Sequence, residues 1–282
     1  MLLTSAACSA PAPLTPTPNA AITIVPVVAT PLATDTPTLV PTRAASPTAF
    51  VTAPSPGSAA IVPILMYHHI QDLPSDASVL MQTWTVAPHN FDAQMALLAQ
   101  RGFHTITMAQ LVGQLKGGKS LPAKPIVVSF DDGWAEQYTV AFAVLKKYRL
   151  SGTFFVYTRP LDHAQFMTWS QLQEMSAAGM DIQPHTLTHP HLRALAPDEA
   201  MKEIADSKSI LETRLGKPMI AFAYPFGEYN AAVIDMLKRA GFEAAVTLDP
   251  GYRQRADELF ALHRIRVSYN DTLDDFAKRL PQ

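Results

Sequence analysis

The chain predicts an α/β fold, on three observations. Short apolar runs that read as buried strands alternate with segments carrying apolar residues at helical spacing, from residue 61 to the C-terminus. One run, Val127-Val128-Ser129-Phe130, leads straight into Asp131-Asp132-Gly133. That puts two carboxylates at the C-terminal edge of a strand, where α/β enzymes keep their chemistry. The first 60 residues share none of this pattern and form a separate region.

In chain order, residues 61–67 read as a buried strand leading into His68-His69-Ile70. Phe91, Met95 and Leu98 recur at helical spacing after Pro88, and Gly102 closes that helix. A short strand is expected over 103–107 and a short helix over 108–115, broken by Gly117-Gly118. The Asp-Asp-Gly strand is followed by a helix over 135–148, a strand over 152–157, a helix that Trp169 precedes and that ends near Gly179, and a strand over 180–183. Pro197 starts a long helix to Leu215, with Met201, Ile204, Leu211 and Leu215 on one face. Strands at 219–224, 242–247 and 262–267 and helices at 229–240 and 272–280 complete the pattern. The sheet is expected to be mostly parallel. Periodicity does not separate an open doubly wound sheet from a closed barrel.

Composition bounds the rest. Half of the 24 prolines fall in the first 63 positions, and only Asp35 and Arg43 are charged before residue 60. Pro, Thr, Ala and Ser cannot bury enough apolar surface for a core, so residues 1–60 are expected to be a disordered linker. Residues 61–282 then suit one barrel-sized domain. The formal charge of −2 with no basic patch argues against nucleic acid as a partner. No apolar run reaches the roughly 18 residues of a membrane span.

The single cysteine, Cys8, provides neither a disulfide framework nor a thiol nucleophile for the folded part. Leu3-Thr4-Ser5-Ala6-Ala7-Cys8-Ser9 resembles the end of a bacterial lipoprotein signal, with small residues before the cysteine and a Pro/Thr stalk after it. It departs from that pattern in lacking a positive n-region and a long apolar run. Either Cys8 is an incidental residue of the tail, or the protein is extracellular or at the cell surface and meets a membrane only through a lipid on Cys8.

The chemistry concentrates in two stretches. Adjacent carboxylates point different ways, so Asp132 can bind a metal while Asp131 takes a proton. Downstream, Gln183-Pro184-His185-Thr186-Leu187-Thr188-His189-Pro190-His191 places two imidazoles four residues apart on a loop bracketed by prolines. Asp132, His185 and His189 would supply three ligands and leave positions open, the pattern of a catalytic metal site. The fitting ion is one divalent metal, zinc first, with cobalt or nickel as substitutes. His191 is the alternative ligand. Read singly, the first stretch is also an ordinary strand and turn, and the second an ordinary His-rich surface loop.

Together, Ser129-Phe130-Asp131-Asp132-Gly133 and His185-Thr186-Leu187-Thr188-His189 resemble the first two motifs of the polysaccharide deacetylases (carbohydrate esterase family 4, the NodB-homology domain). Ala223-Tyr224-Pro225-Phe226-Gly227 is similar to the third. The resemblance implies a distorted (β/α) barrel and metal-dependent removal of acetyl groups from N-acetylhexosamine polymers. It gives Asp131 the role of base and Asp132, His185 and His189 that of ligands. It makes the Phe226 backbone N–H the oxyanion donor, while the Tyr224 and Phe226 side chains are equally open to a packing role. Trp134 and Trp169 either stack on sugar rings or pack in the core.

The sequence departs from the family in having Ala223 where many members carry an arginine that holds the catalytic aspartate. Arg264 and Arg266 are the candidates to replace it, unless both are ordinary strand-end charges. The acid that protonates the leaving amine comes, in many members, from a C-terminal histidine, here only His263. Tyr67-His68-His69-Ile70 instead resembles the branch acting on poly-β-1,6-N-acetylglucosamine, in which the acid lies on the first strand directly after the tyrosine, here His68. His69 points the other way if the chain is still extended. The implied partner is an N-acetylated polysaccharide and the expected state a monomer. Peptidoglycan or chitin-oligomer deacetylation, acetyl-xylan esterase activity and non-catalytic glycan binding are the competing functions.

Overall fold

The computed structural model describes residues 58–281. The expected linker, with Cys8, lies outside the described residues, apart from its last three positions.

Seven strands form one sheet: β1 (Ile64–Tyr67), β2 (Pro125–Asp132), β3 (Thr153–Val156), β4 (Asp181–Pro184), β5 (Ala221–Ala223), β6 (Ala244–Pro250) and β7 (Leu262–Arg266). Their spatial order is β4-β3-β2-β1-β7-β6-β5, and every neighbouring pair is parallel. The two-residue strand His104–Thr105 pairs with the start of β2. The sheet curls into a nearly closed barrel, which decides between the two architectures that periodicity left open.

Strand alternation sorts side chains into two cores. Leu65, Val128, Phe154, Ile182, Phe222 and Ile265 pack with the helices, including Pro88–Gln100 and Pro197–Leu215. Ile64, Val127, Phe155, Ala221, Val246 and Leu262 form the other core, with Met108–Leu115 packed into it. Stepping in twos toward the strand C-termini, Val127 leads to Asp131 and Leu262 to Arg264, while His185 is out of phase with Ile182 of the first set.

Among the described residues no backbone ladder joins β4 to β5. A side chain closes the seam. Gln183 Oε1 accepts from the backbone N–H groups of Ile220 and Ala221, each at 3.0 Å. Its Nε2 donates to Asp181 Oδ1 at 2.7 Å, and Asp181 Oδ2 accepts from the Met108 N–H at 2.9 Å.

Most elements fall within a few residues of expectation, with three differences. The expected strand over 61–67 is split at Pro63, which has no N–H to donate. Ala59–Ile61 pairs antiparallel with Arg253–Arg255, and β1 starts beyond the proline. The expected helix over 135–148 opens as a π-helix, Gln137–Phe142, before the α-helix Ala143–Tyr148. A short helix, Val79–Trp84, capped by Ser78 Oγ accepting from the Met81 N–H, was not predicted. Its apolar start is exposed, Val79 at 79% and Leu80 at 68%, so no buried face marks it.

Gln183→Leu would leave two backbone N–H groups at the seam without an acceptor. A loss of about 2–4 kcal/mol in urea denaturation is expected, with the slope unchanged.

Candidate active site

β2 carries the two carboxylates to the rim and then turns sharply. Asp132 has φ 79 and Gly133 φ 88, and a Cβ at Gly133 would meet Val156 Cγ1 at 3.2 Å. The turn lets adjacent carboxylates serve different partners. Asp131 stays in the barrel, only 1% exposed, with both oxygens bound by Arg264: Nη1 to Oδ1 and Nη2 to Oδ2, each at 2.8 Å. Arg264 Nε donates to the Thr247 carbonyl at 2.8 Å. Burial alone would raise the Asp131 pKa, but the Arg264 charge and its two hydrogen bonds outweigh it and hold the carboxyl far below its usual range. The group facing the aspartate in place of the missing arginine is therefore Arg264. Arg266 instead lies over the ring of Trp84 at 5.0 Å.

Asp132 Oδ1 lies 3.7 Å from His185 Nε2 and 3.7 Å from His189 Nε2, and one ligand atom from each of the three residues falls within 4.8 Å of the others. The other oxygen, Oδ2, accepts from the Trp134 indole N–H at 3.0 Å. His185 continues from β4, and its Nδ1 lies 2.7 Å from the Ala223 carbonyl. A carbonyl only accepts, so Nδ1 carries the proton and Nε2 keeps a free lone pair. Burial lowers the His185 pKa, and burial with the neighbouring His185 brings that of His189 to about 4, so both rings are neutral near pH 7.

The loop between the two histidines is fastened from below. Glu203, on the helix Pro197–Leu215, accepts from the backbone N–H groups of Leu187 and Thr188 at 2.9 Å each and from Thr188 Oγ1 at 2.8 Å. Sequence reasoning missed Glu203, since one acid among several on an exposed helix face carries no local signal.

His68 leaves the end of β1 with its Nε2 3.9 Å from Asp131 Oδ2 and its ring against Trp84, centroids 4.5 Å apart. Burial lowers its pKa, and Asp131 and Asp132 push it back up. His69 lines the same cavity as His68, with its Nδ1 2.6 Å from Glu136 Oε1. A cavity of about 440 Å³ is lined by His68, Asp131, Asp132, His185 and His189, with Trp84 also in its wall. Trp84 was not anticipated.

The remaining candidates divide. Tyr224 lines the cavity but is 1% exposed and donates to the Phe260 carbonyl at 3.0 Å, a packing role. Phe226, with φ 58 and 46% exposure, sets its ring against His189 and stacks on His191 at 3.9 Å. His191 pairs with Glu228 at 3.3 Å and stands outside the three-ligand cluster. Trp134 is packed between His69 and Phe166. Trp169 does not line this cavity. It lines a different one, with Arg214 5.1 Å over its ring. His263 is out of phase with Arg264 on β7 and sits against Gly251, where a Cβ would meet its Nδ1 at 2.7 Å.

The rim of a parallel barrel thus gathers an arginine-bound aspartate, an Asp-His-His cluster that could hold a metal ion, and a further histidine. The family profile described as polysaccharide deacetylase matches residues 118–245. The Bacillus subtilis protein YxkH, named for the same family, is 34% identical over 207 residues, spanning 73% of this chain and 71% of that protein. The Streptococcus pyogenes deacetylase PplD, solved in complex with acetate, is 30% identical with a TM-score of 0.74, covering 80% of this chain and 100% of that one. A Staphylococcus epidermidis poly-β-1,6-N-acetyl-D-glucosamine N-deacetylase is 27% identical, spanning 70% of this chain and 73% of that enzyme. The chain belongs to the polysaccharide deacetylases, hydrolases with the NodB-type fold.

Arg264→Met tests the buried pair. In the variant the Asp131 carboxylate is buried without its partner, so its pKa rises above the unfolded value. The variant should lose about 3–5 kcal/mol at neutral pH, and the deficit should shrink as the pH falls through the raised pKa and the carboxyl becomes neutral. Denaturation of both proteins at about pH 7 and about pH 4.5 measures this.

Proposed function

We propose that this protein removes N-acetyl groups from an N-acetylglucosamine polymer, with poly-β-1,6-N-acetylglucosamine as the substrate class. The observation that carries the chemistry is the placement of Asp131, His68 and the Asp132-His185-His189 cluster around one cavity. The polymer assignment is supported by the Staphylococcus epidermidis relative named for that substrate and by the Tyr67-His68 sequence at the end of β1.

The cluster suits a zinc ion by its donor chemistry. Two donors each about 2.1 Å from a tetrahedral ion stand about 3.4 Å apart, close to the two 3.7 Å separations here. Two neutral imidazoles and one carboxylate form an open three-ligand set. A bound zinc ion supplies Lewis-acid polarisation of the acetyl carbonyl and of the attacking water.

The chain's own residues supply the rest. Asp131, ionised at any working pH, accepts a proton from the attacking water and orients it toward the carbonyl carbon. Arg264 keeps that carboxylate fixed in the barrel. The Phe226 backbone N–H, which follows Pro225 in the third motif, is assigned as the donor to the oxygen where charge develops. As the C–N bond breaks, His68 gives its proton to the nitrogen, so amine and acetate leave as separate products. Lipid attachment at Cys8 forms part of the same proposal, in which the enzyme works at the cell surface near its polymer.

Metal analysis of His185→Ala and His189→Ala proteins should show loss of bound zinc, and full occupancy in either would refute the ligand set. Asp131→Asn should keep the metal and lose about 10²–10⁴-fold in turnover.

His68→Ala and His263→Ala, both folded and zinc-loaded, should part company, the first nearly inactive on N-acetylglucosamine oligomers and the second close to wild type. The reverse pattern moves the acid to the other end of the chain.

A further inference from the structure

The ladder between β1 and β2 ends before the catalytic residues do. Its last register pair is Tyr67 with Phe130. The next pair would be His68 with Asp131, and here the strands must part so that the two side chains can face a substrate. Gln137 spans this position. Its Nε2 donates to the His68 carbonyl at 2.9 Å and to the Asp131 carbonyl at 2.5 Å. One amide group thus ties together the backbones that carry the proposed acid and the proposed base.

Three further observations set Gln137 apart from an ordinary core residue. It is fully buried. Its Oε1 has no hydrogen-bond partner among the described residues, and an unsatisfied buried oxygen costs about 1–3 kcal/mol. It is the first residue of the π-helix Gln137–Phe142, and π-turns are uncommon and recur at functional sites. A leucine or methionine here would bury as well without the orphaned oxygen, so what sets the glutamine apart is the two bonds its Nε2 makes.

We infer that Gln137 is a positioning residue that sets the separation between His68 and Asp131 and so couples proton delivery to water attack. His68 Nε2 and Asp131 Oδ2 stand 3.9 Å apart, too far for a hydrogen bond. At that separation the base does not take the acid's proton directly, and both side chains face the cavity. Without the staple, β1 is free to move its end against β2, and the imidazole loses its fixed direction toward the leaving nitrogen. Asp131 is held independently by Arg264, so the disturbance falls on His68. The inference rests on the assignment of His68 as the acid.

The test compares two leaving groups. An N-acetylglucosamine oligomer releases an amine that must be protonated, whereas 4-nitrophenyl acetate releases a stable phenolate that needs no acid. Gln137→Met removes both donors at similar volume. It should lower the oligomer-to-ester turnover ratio about 30-fold, with zinc content and KM unchanged. Gln137→Glu keeps the shape and, once protonated, one donor. Relative to wild type at each pH, its ratio should recover about threefold or more between about pH 8 and about pH 6 as the buried carboxyl, its pKa raised, becomes neutral. Equal losses on both substrates, no loss on either, or failure of both variants to fold would make Gln137 a plain packing residue and overturn the inference. His68→Ala run alongside separates the two claims. If it leaves the ratio intact, the acid assignment fails and this inference with it. If it collapses the ratio while Gln137→Met does not, the inference alone fails.

Discussion

The buried pair of Asp131 and Arg264 is the constraint on which the site depends. A carboxylate at 1% exposure is costly unless its charge is met and its lone pairs are used, and a fully buried guanidinium has the same need. Here each oxygen takes one guanidinium nitrogen, and the remaining Nε is spent on the Thr247 carbonyl. The pair joins β2 to β7 across the barrel interior and fixes which way Asp131 faces. The small side chain of Ala223 on β5 is consistent with this rearrangement, because the donor arrives from β7 instead. A lysine could not reproduce the arrangement, since an ammonium is a point charge and cannot bind both oxygens in plane.

Backbone conformation carries a second cost at the same place. Among the described residues, Asp132, Thr186, His189 and Phe226 all have positive φ without being glycine. Such conformations cost about 1 kcal/mol or more each and persist where surrounding structure over-determines them. The compensation is visible for the loop between His185 and His189. Three hydrogen bonds to Glu203 and one from the His189 N–H to Thr186 Oγ1 hold it. The strain therefore reads as preorganisation, in which side chains that must converge are held in place before any ligand arrives.

How much of this was legible in the sequence follows from the range of each interaction. Strand and helix periodicity is local, so the elements were readable, as were Asp131-Asp132 and the two spaced histidines. Parity along β7 could have separated Arg264 from His263, but only with the register known, and register depends on partners far away in the chain. Trp84 and Glu203 were invisible because each matters through residues at long sequence separation. Pro63 was readable as a ladder breaker and was overlooked inside an otherwise apolar run. Gln183 looked like one more strand residue, and its role at the seam exists only because the barrel stops one ladder short of closure.

The charges around the cavity close the account of the site. Asp131 and Asp132 bring two negative charges, Arg264 returns one positive, and burial keeps His185 and His189 neutral. The residual charge is negative, half-buried, and concentrated at Asp132, whose Oδ1 faces the Nε2 atoms of both imidazoles. In the proposed function a divalent cation would take all three donors at once. That fits a fold that hides Asp131 behind an arginine and leaves Asp132 facing two imidazoles without one.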